Sequence, residues 1–147
     1  MAYRITVRVI NDTNAPLDLI EKTCWKGAGT AWTESTSGYH LHMNASGSSG
    51  MLRFRSSEGE YFSVAVGVHN YKRWCDVDVN LGDSGVLTGL HPRYYDEKDG
   101  KYKMLWAQAT ECPAKGEPER VSDKGRKWRV EFYVAEGNEL RANVVFS

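Results

Sequence analysis

Polar and apolar residues alternate with a period of two along most of this chain, and this pattern limits its possible folds more than any other feature. In Tyr3–Val9 every second side chain is apolar. Successive side chains of a β-strand point to opposite faces of a sheet, so the pattern predicts a strand that is buried on one face. Five further segments alternate in the same way: Tyr39–Met43, Met51–Ser56, Tyr61–Val68, Trp128–Val134 and Leu140–Phe146. Many short antiparallel strands are therefore expected.

The clearest strand pair is a hairpin near the end of the sequence. Trp128–Val134 and Leu140–Phe146 both alternate, and the turn residues Glu136, Gly137 and Asn138 lie between them. Turn residues also bound the other alternating segments. An all-β sandwich is the fold class that this arrangement favours.

Helical periodicity is scarce. The two best helix candidates are Asn70–Leu81 and Tyr102–Ala109, and neither has a long apolar stripe. Asp96–Lys127 is rich in charged residues, Gly and Pro, and we interpret it as a long surface excursion from the sheets.

Length and charge restrict the class of protein. With 147 residues, of which 41% are hydrophobic, residues 1–147 fit one domain with its own core. The 19 basic residues balance the 19 acidic ones, whereas nucleic-acid-binding proteins usually carry a basic surplus. The polar alternation at the start is unlike a secretory signal, so we expect a cytoplasmic protein or release by a route without a signal peptide.

Metal ions and other cofactors have little support in the sequence. Cys24, Cys75 and Cys112 lack CxxC spacing, and we interpret them as buried reduced thiols. His40 and His42 project from one face of a predicted strand without a third ligand nearby, which favours two histidines on its polar face. No glycine-rich phosphate loop is present, so we expect no metal, nucleotide or other cofactor.

Catalysis is the alternative that His69, Cys75 and Asp76 leave open. A cysteine activated by a histidine is a known nucleophile, and the three residues lie within one short stretch. No local signature of a hydrolase surrounds them. We therefore expect no enzyme, although the sequence does not show whether the side chains meet.

Aromatic residues indicate a different chemistry. The chain has five tryptophans and eight tyrosines, and aromatic rings beside hydrogen-bonding groups suit the apolar face and the hydroxyls of a sugar. Trp128 fits the core face of a strand. Trp25 and Trp74 lie beside polar and Gly-rich segments and are better candidates for ligand contact.

Gly67–Asp76, which reads GVHNYKRWCD, closely resembles the fungal fruit body lectin family. The resemblance spans nearly the whole chain except Asp96–Lys127. It continues in Glu21–Lys26, Ser46–Phe54, Tyr94–Tyr95 and Ala135–Asn143. It implies an actinoporin-like β-sandwich of two sheets joined by a short helix-loop-helix.

The resemblance also implies a function. Members of the family bind the galactosyl-β-1,3-N-acetylgalactosamine disaccharide, the T-antigen type, on cell-surface glycoproteins, and they act as homotetramers. The biological role that the resemblance implies is defence. Carried over by position, this first sugar site comprises Ala28, Gly29, Ser46, Gly47 and Asn70. Small residues let the backbone approach a sugar, and the Asn70 amide offers a donor and an acceptor.

A second family site, for N-acetylglucosamine, departs from the family pattern here. It begins at Asp76 and Val77, but Val79 stands where relatives usually carry a threonine. The arginine and tyrosine that complete the site fall in the divergent stretch, where Lys101, Tyr102 or Trp106 are the substitutes. We therefore predict a preserved disaccharide site and an altered N-acetylglucosamine site.

Similarity to actinoporins leaves membrane pore formation as the alternative function. Such toxins insert an amphipathic N-terminal helix into the bilayer. Residues 1–10 alternate as a strand and would have to leave the sheet. We therefore favour a lectin whose partners are glycans, with no membrane insertion and no nucleic-acid partner.

Overall fold

Strands dominate the structure, a computed structural model that describes residues 2–25, 29–83, 86–111 and 119–147. In chain order the elements are β1 (Tyr3–Asn11), β2 (Leu17–Trp25), β3 (Ala31–Ser35), β4 (Gly38–Met43), β5 (Ser48–Ser56), β6 (Tyr61–His69), β7 (Lys72–Leu81), α1 (Leu87–Leu90), a 3-10 turn (His91–Tyr95), α2 (Gly100–Glu111), β8 (Glu119–Val121), β9 (Lys127–Val134) and β10 (Glu139–Phe146). All six strands predicted from alternation are present.

The strands form two sheets. One has six strands in the order β3-β4-β1-β10-β9-β8, and the other has four in the order β2-β5-β6-β7. β1 lies between antiparallel β4 and parallel β10, while β9 and β10 form the predicted hairpin. The expected all-β sandwich is confirmed. Because β1 is hydrogen-bonded on both sides, an N-terminal helix of the actinoporin kind would have to break two strand ladders.

The main core lies between the two sheets. It consists of the apolar side chains that alternation directs inward, such as Ile5 on β1 and Val66 on β6, which are 0% and 1% exposed. Trp128 packs at its centre, with ring centroids 4.6 Å from Phe62 and 4.9 Å from Phe146. Trp128 is therefore a core residue, as its strand position predicts. Burying a side chain of this size typically contributes about 1.5–3 kcal/mol.

A second core lies on the outer face of the four-stranded sheet. There α1, the 3-10 turn and α2 cover the strands and bury Trp74, Tyr94 and Leu105. These segments connect β7 to β8, and thus one sheet to the other, which is the helix-loop-helix that the resemblance implies. Trp74 is 0% exposed, so its candidacy as a ligand-contacting residue is wrong.

Burial on both faces also explains a wrong secondary-structure prediction. Asn70–Leu81 is not a helix: after a two-residue turn, the chain continues as β7. Within β7, Trp74 and Asp76 point toward the helices while Cys75 and Val77 point into the main core. A strand covered on both sides loses the alternation that marks a half-buried one.

The helix predicted at Tyr102–Ala109 is confirmed as part of α2. Asp96–Lys127 is therefore only partly the surface excursion that its composition suggested, because α2 packs Leu105 against the sheet and β8 extends the six-stranded sheet. Cys112 lies outside the described residues. Among the described residues, no helix has the length and apolar character that crossing a membrane requires.

Candidate functional site

The turn between β6 and β7 has an unusual backbone. Both of its central residues, Asn70 and Tyr71, have left-handed conformations, with φ of 50° and 63°. This geometry lets a two-residue turn follow the twist of the hairpin, and Asn tolerates it far better than Tyr does. The Tyr71 N–H donates a hydrogen bond to Ser46 Oγ at 2.9 Å, which fixes the turn to the loop between β4 and β5.

The β4–β5 loop is tied back to the same hairpin. The Gly47 N–H donates to the Val68 carbonyl at 2.7 Å, and Gly47 has a φ of 92°. A Cβ added at Gly47 would meet no atom within 4 Å, so the backbone there faces open space. Any ligand can therefore approach the main chain at Gly47 closely.

Gly29 packs against the β4–β5 loop at Asn44. A Cβ on Gly29 would overlap the Asn44 side-chain amide, so only glycine allows this contact with the β4–β5 loop. The structure thus places Gly29, Ser46, Gly47 and Asn70 on neighbouring loops, which we call the loop site. Ala28, the fifth residue predicted for it, lies outside the described residues.

A second candidate site lies further along β7, beside α2. A cleft of about 370 Å³, which we call the β7–α2 cleft, has eight lining residues. Asp76 and Asp78 line it from one face of β7, because they are two residues apart on a strand. The remaining lining residues are Arg93, Asp99, Gly100, Lys101, Met104 and Arg120.

The Asp76 carboxylate is already bonded by other side chains of this protein. The carboxylate is 4% exposed, and its Oδ2 accepts hydrogen bonds from the Tyr94 hydroxyl at 2.6 Å and from Lys101 Nζ at 3.1 Å. Lys101 Nζ also donates to Asp78 Oδ2 at 2.6 Å, and Arg120 Nη2 lies 3.8 Å from Asp76 Oδ1. The carboxylate expected to hold sugar hydroxyls therefore has three protein cations or donors around it.

Burial raises the pKa of Tyr94 well above its usual value, and the neighbouring Asp76 carboxylate adds to this effect. Because a raised pKa keeps the phenol protonated, Tyr94 remains a donor to Asp76 throughout the neutral range. A sugar hydroxyl would have to compete with this donor for the same oxygen.

The side chains of Val77, Val79 and Tyr102, which were predicted for the second site, do not line the β7–α2 cleft. The Val77 side chain is 0% exposed in the main core, and Val79 packs against that core, so each can offer only its backbone. Tyr102 does not line the cleft and packs edge-on against Trp106, with centroids 6.2 Å apart. Lys101 is the one predicted substitute that reaches Asp76.

Sequence reasoning missed six of the eight residues that line this cleft: Asp78, Arg93, Asp99, Gly100, Met104 and Arg120. Asp78 could have been found from its spacing of two from Asp76 along a strand. Arg93, Asp99 and Arg120 come from distant segments, and no sequence pattern joins them. Arg93 Nε donates to Asp99 Oδ2 at 2.7 Å, and this bond raises the pKa of Arg93 and lowers that of Asp99.

The open catalytic hypothesis is not supported by the positions of His69 and Cys75. Cys75 is 0% exposed and faces the main core, whereas His69 faces the helices, with its ring centroid 4.5 Å from that of Trp106. The two side chains lie on opposite faces of the sheet and cannot meet. Burial also lowers the pKa of His69.

His40 and His42 lie on the polar face of β4, as predicted. The His40 ring nitrogens make hydrogen bonds of 3.0 Å with Thr6 Oγ1 and 2.7 Å with Ser35 Oγ, while His42 Nε2 lies 3.0 Å from Thr33 Oγ1. In the described part of the chain, no group of three or more His, Cys, Asp or Glu side chains could hold a metal ion.

Trp25 takes part in a small aromatic cluster with Tyr95 and His91. Its ring stacks on Tyr95 with centroids 4.4 Å apart, and the Tyr95 hydroxyl lies 2.6 Å from Ser49 Oγ. His91 is buried beside them, with hydrogen bonds of 2.8 Å to both Thr23 and Ser49 hydroxyls. Burial lowers the pKa of His91 to about 4, so its ring is neutral near pH 7. The cluster therefore supports the beginning of β5.

Comparisons with known proteins agree with this architecture. The family model described as fungal fruit body lectin matches residues 1–144. A lectin of Boletus edulis is 40% identical over 150 residues, covering 100% of both chains. The wild-type lectin of Xerocomus chrysenteron is 40% identical, with a TM-score of 0.89 and coverage of 100% of both chains. A methionine-substituted variant of it is 42% identical with the same TM-score, covering 100% of this chain and 99% of its own.

Proposed function

Because the chain belongs to the fungal fruit body lectin family, a family of carbohydrate-binding proteins, we propose that it binds galactosyl-β-1,3-N-acetylgalactosamine glycans through the loop site. The residues that carry this proposal are Ser46, Gly47 and Asn70, with Gly29 and Ala28 beside them. The disaccharide specificity rests on the resemblance of these positions to the family pattern.

One observation supports the loop site most strongly: its polar groups are fixed before any ligand arrives. The Tyr71 N–H bond to Ser46 Oγ and the Gly47 N–H bond to the Val68 carbonyl connect the two loops. A site that is already ordered loses less conformational entropy when it binds. Sugar hydroxyls need such fixed donors and acceptors, because each of them exchanges a hydrogen bond with water for one with protein.

The proposed mode of action is multivalent binding without catalysis. In a homotetramer, each protomer would present one loop site to a glycan-coated cell surface. Linked sites can increase the overall avidity by about 10²- to 10⁴-fold when their geometry allows simultaneous contact. Recognition of foreign cell-surface glycoproteins in defence is the role we propose for such binding.

For the β7–α2 cleft we propose altered or weakened binding of N-acetylglucosamine. Lys101 and Tyr94 already bond the Asp76 carboxylate, and Val79 offers no hydroxyl at the position where relatives carry a threonine. A sugar would have to displace a buried ion pair to reach that carboxylate. Such a displacement is costly because it leaves a charge without its partner.

A glycan array tests this function. We expect the wild-type protein to bind glycans ending in galactosyl-β-1,3-N-acetylgalactosamine and Asn70→Ala to lose that binding. Asn14→Ala is the matched control, because it removes the same amide from an exposed asparagine in the loop after β1, at the end of that strand away from Tyr3. Wild-type binding that survives in Asn70→Ala, or a folded protein that binds none of the glycans, would contradict the proposal.

A further inference from the structure

A cleft of about 180 Å³ lies between the β6–β7 turn and the β9–β10 turn, beside the loop site. We propose that this cleft, which we call the hairpin cleft, binds one further neutral sugar ring of the glycan held at the loop site, with Tyr71 as its aromatic wall. The proposal deepens the proposed function and rests on it. Its lining includes Tyr3, Tyr71, Lys72, Glu136 and Leu140.

Tyr71 connects the hairpin cleft to the loop site. Its backbone N–H is bonded to Ser46 Oγ, while its residue lines the cleft. Val68 makes a second connection, because its carbonyl accepts the Gly47 N–H and it also lines the cleft. A glycan seated at Ser46 and Gly47 is thus only one turn away from the hairpin cleft.

The conformation of Tyr71 is unusual in two independent ways. It is 78% exposed, more than any other large hydrophobic residue in the described part of the chain, and its φ is 63°. A bulky residue rarely adopts a left-handed backbone, and such strain is concentrated at functional sites. An exposed tyrosine ring offers an apolar face for a pyranose and a hydroxyl for hydrogen bonding.

The rest of the cleft matches a single neutral ring. Tyr3 and Leu140 are 7% and 2% exposed and form an apolar floor, while Lys72 and Glu136 bring one positive and one negative charge to the rim. The volume is below the roughly 300–1,000 Å³ of pockets for drug-sized ligands. A pyranose, with an apolar ring face and hydroxyls at its edge, needs this combination of floor and rim.

An acidic sugar fits less well. Arg73 also lines the cleft, but its guanidinium lies over the Phe132 ring at 4.8 Å and the residue is 4% exposed. Glu136 is exposed at the rim and offsets the charge of Lys72 there, so the rim offers an acidic sugar no net positive charge. We therefore assign a neutral hexose or N-acetylhexosamine to the cleft.

Calorimetric titration of the disaccharide and of three trisaccharides tests this assignment. Two trisaccharides carry an additional neutral sugar, one at each end of the disaccharide, and the third carries an acidic sugar. We expect one neutral trisaccharide to bind the wild-type protein between about 2- and 10-fold more tightly than the disaccharide, a gain typical of one aromatic contact. Tyr71→Ala keeps the backbone N–H that bonds Ser46 Oγ, and the ratio of its trisaccharide affinity to its disaccharide affinity should fall to about one.

Two further variants serve as controls. Tyr71→Phe should keep most of the gain, because the aromatic face remains. Tyr133→Ala removes another exposed tyrosine, 53% exposed on β9 and absent from the cleft lining, and should behave as wild type. Equal affinity of the wild type for the disaccharide and all trisaccharides would overturn the inference and leave the proposed function intact.

Three further outcomes would overturn either the assignment of the cleft or the proposed function. A gain that persists in Tyr71→Ala, or one confined to the acidic trisaccharide, would overturn the assignment of a neutral ring to this cleft. Failure of the wild type to bind the disaccharide itself would instead overturn the proposed function, and the inference that rests on it.

Discussion

The loop site and the β7–α2 cleft differ in where their polar groups find partners. In the loop site, hydrogen bonds from the backbone N–H groups of Gly47 and Tyr71 order two loops, while the Gly47 backbone faces open space. In the cleft, the carboxylates of Asp76 and Asp78 are bonded by Lys101. The first arrangement leaves an ordered surface for a ligand. The second uses its charges to hold α2 against β7.

This difference predicts that changes in the cleft lower stability alone, whereas changes in the loop site also lower disaccharide binding. Lys101→Met tests the first half with the largest expected effect. Removing the cation leaves the buried Asp76 carboxylate without its nearest positive charge, which should lower the free energy of unfolding by about 3–5 kcal/mol in urea denaturation. Lys103→Met, an exposed lysine of the same helix, should change it by less than about 0.5 kcal/mol. Similar stabilities for the two variants would contradict the structural role of the ion pair.

Acid should destabilise the support of the loop site through His91. Burial lowers the pKa of His91 to about 4. Between pH 6.5 and 4 the imidazole is therefore protonated in the unfolded chain but stays neutral in the folded protein. Stability is therefore fully present above about pH 6.5 and falls as the pH drops toward 4, by roughly 3 kcal/mol.

Urea denaturation between pH 4 and 7 measures this effect, with His91→Gln as the comparison. The pKa of His69 is also lowered by burial, and His69 contributes equally in both proteins, so the difference between their pH profiles isolates His91. Parallel profiles would show that His91 does not cause the loss.

Two glycines separate the cost of backbone strain from the effect on binding. Gly47 and Gly59 have φ of 92° and 84°, and a Cβ at either would meet nothing within 4 Å. Gly47→Ala and Gly59→Ala should therefore each lower stability by about 1–2 kcal/mol, the cost of a left-handed alanine. Only Gly47→Ala should also weaken disaccharide binding in calorimetry. Equal binding by both variants would remove Gly47 from the site.

The smallest expected change in stability comes from Ser46→Ala. Its hydroxyl accepts the Tyr71 N–H, so its loss should lower the free energy of unfolding by about 1 kcal/mol and disaccharide affinity by about 2- to 10-fold. Ser37→Ala, a serine of the β3–β4 turn, should leave affinity unchanged. Unchanged affinity in Ser46→Ala would mean that the turn needs no support from the β4–β5 loop.

Local patterns predicted the half-buried strands well, because alternation directly reflects burial on one face. β1 and β10 show this, with Ile5 and Leu140 buried and Arg4 and Arg141 on the other face. Alternation failed at β7, where α2 covers the second face and Asp76 is buried by its partners. Nothing local in a strand reports a helix that arrives from 25 residues further along the chain.

The two candidate sites also differ in how far local sequence could predict them. The residues of the loop site lie in short turns whose glycine and asparagine are visible in the sequence, so resemblance could place them by position. The β7–α2 cleft depends on Lys101 meeting Asp76, and on Arg120 arriving from β8. These contacts join segments that are far apart in sequence, so no local pattern predicts them.

The most direct test is an NMR titration of the isotope-labelled protein with galactosyl-β-1,3-N-acetylgalactosamine, because it observes both regions in one experiment. Our account predicts that the backbone amide signals of Gly47, Asn70 and Tyr71 shift in proportion to occupancy, while those of Asp76 and Asp78 stay in place. Shifts centred on Asp76 and Asp78, or no shifts at saturating disaccharide, would contradict it.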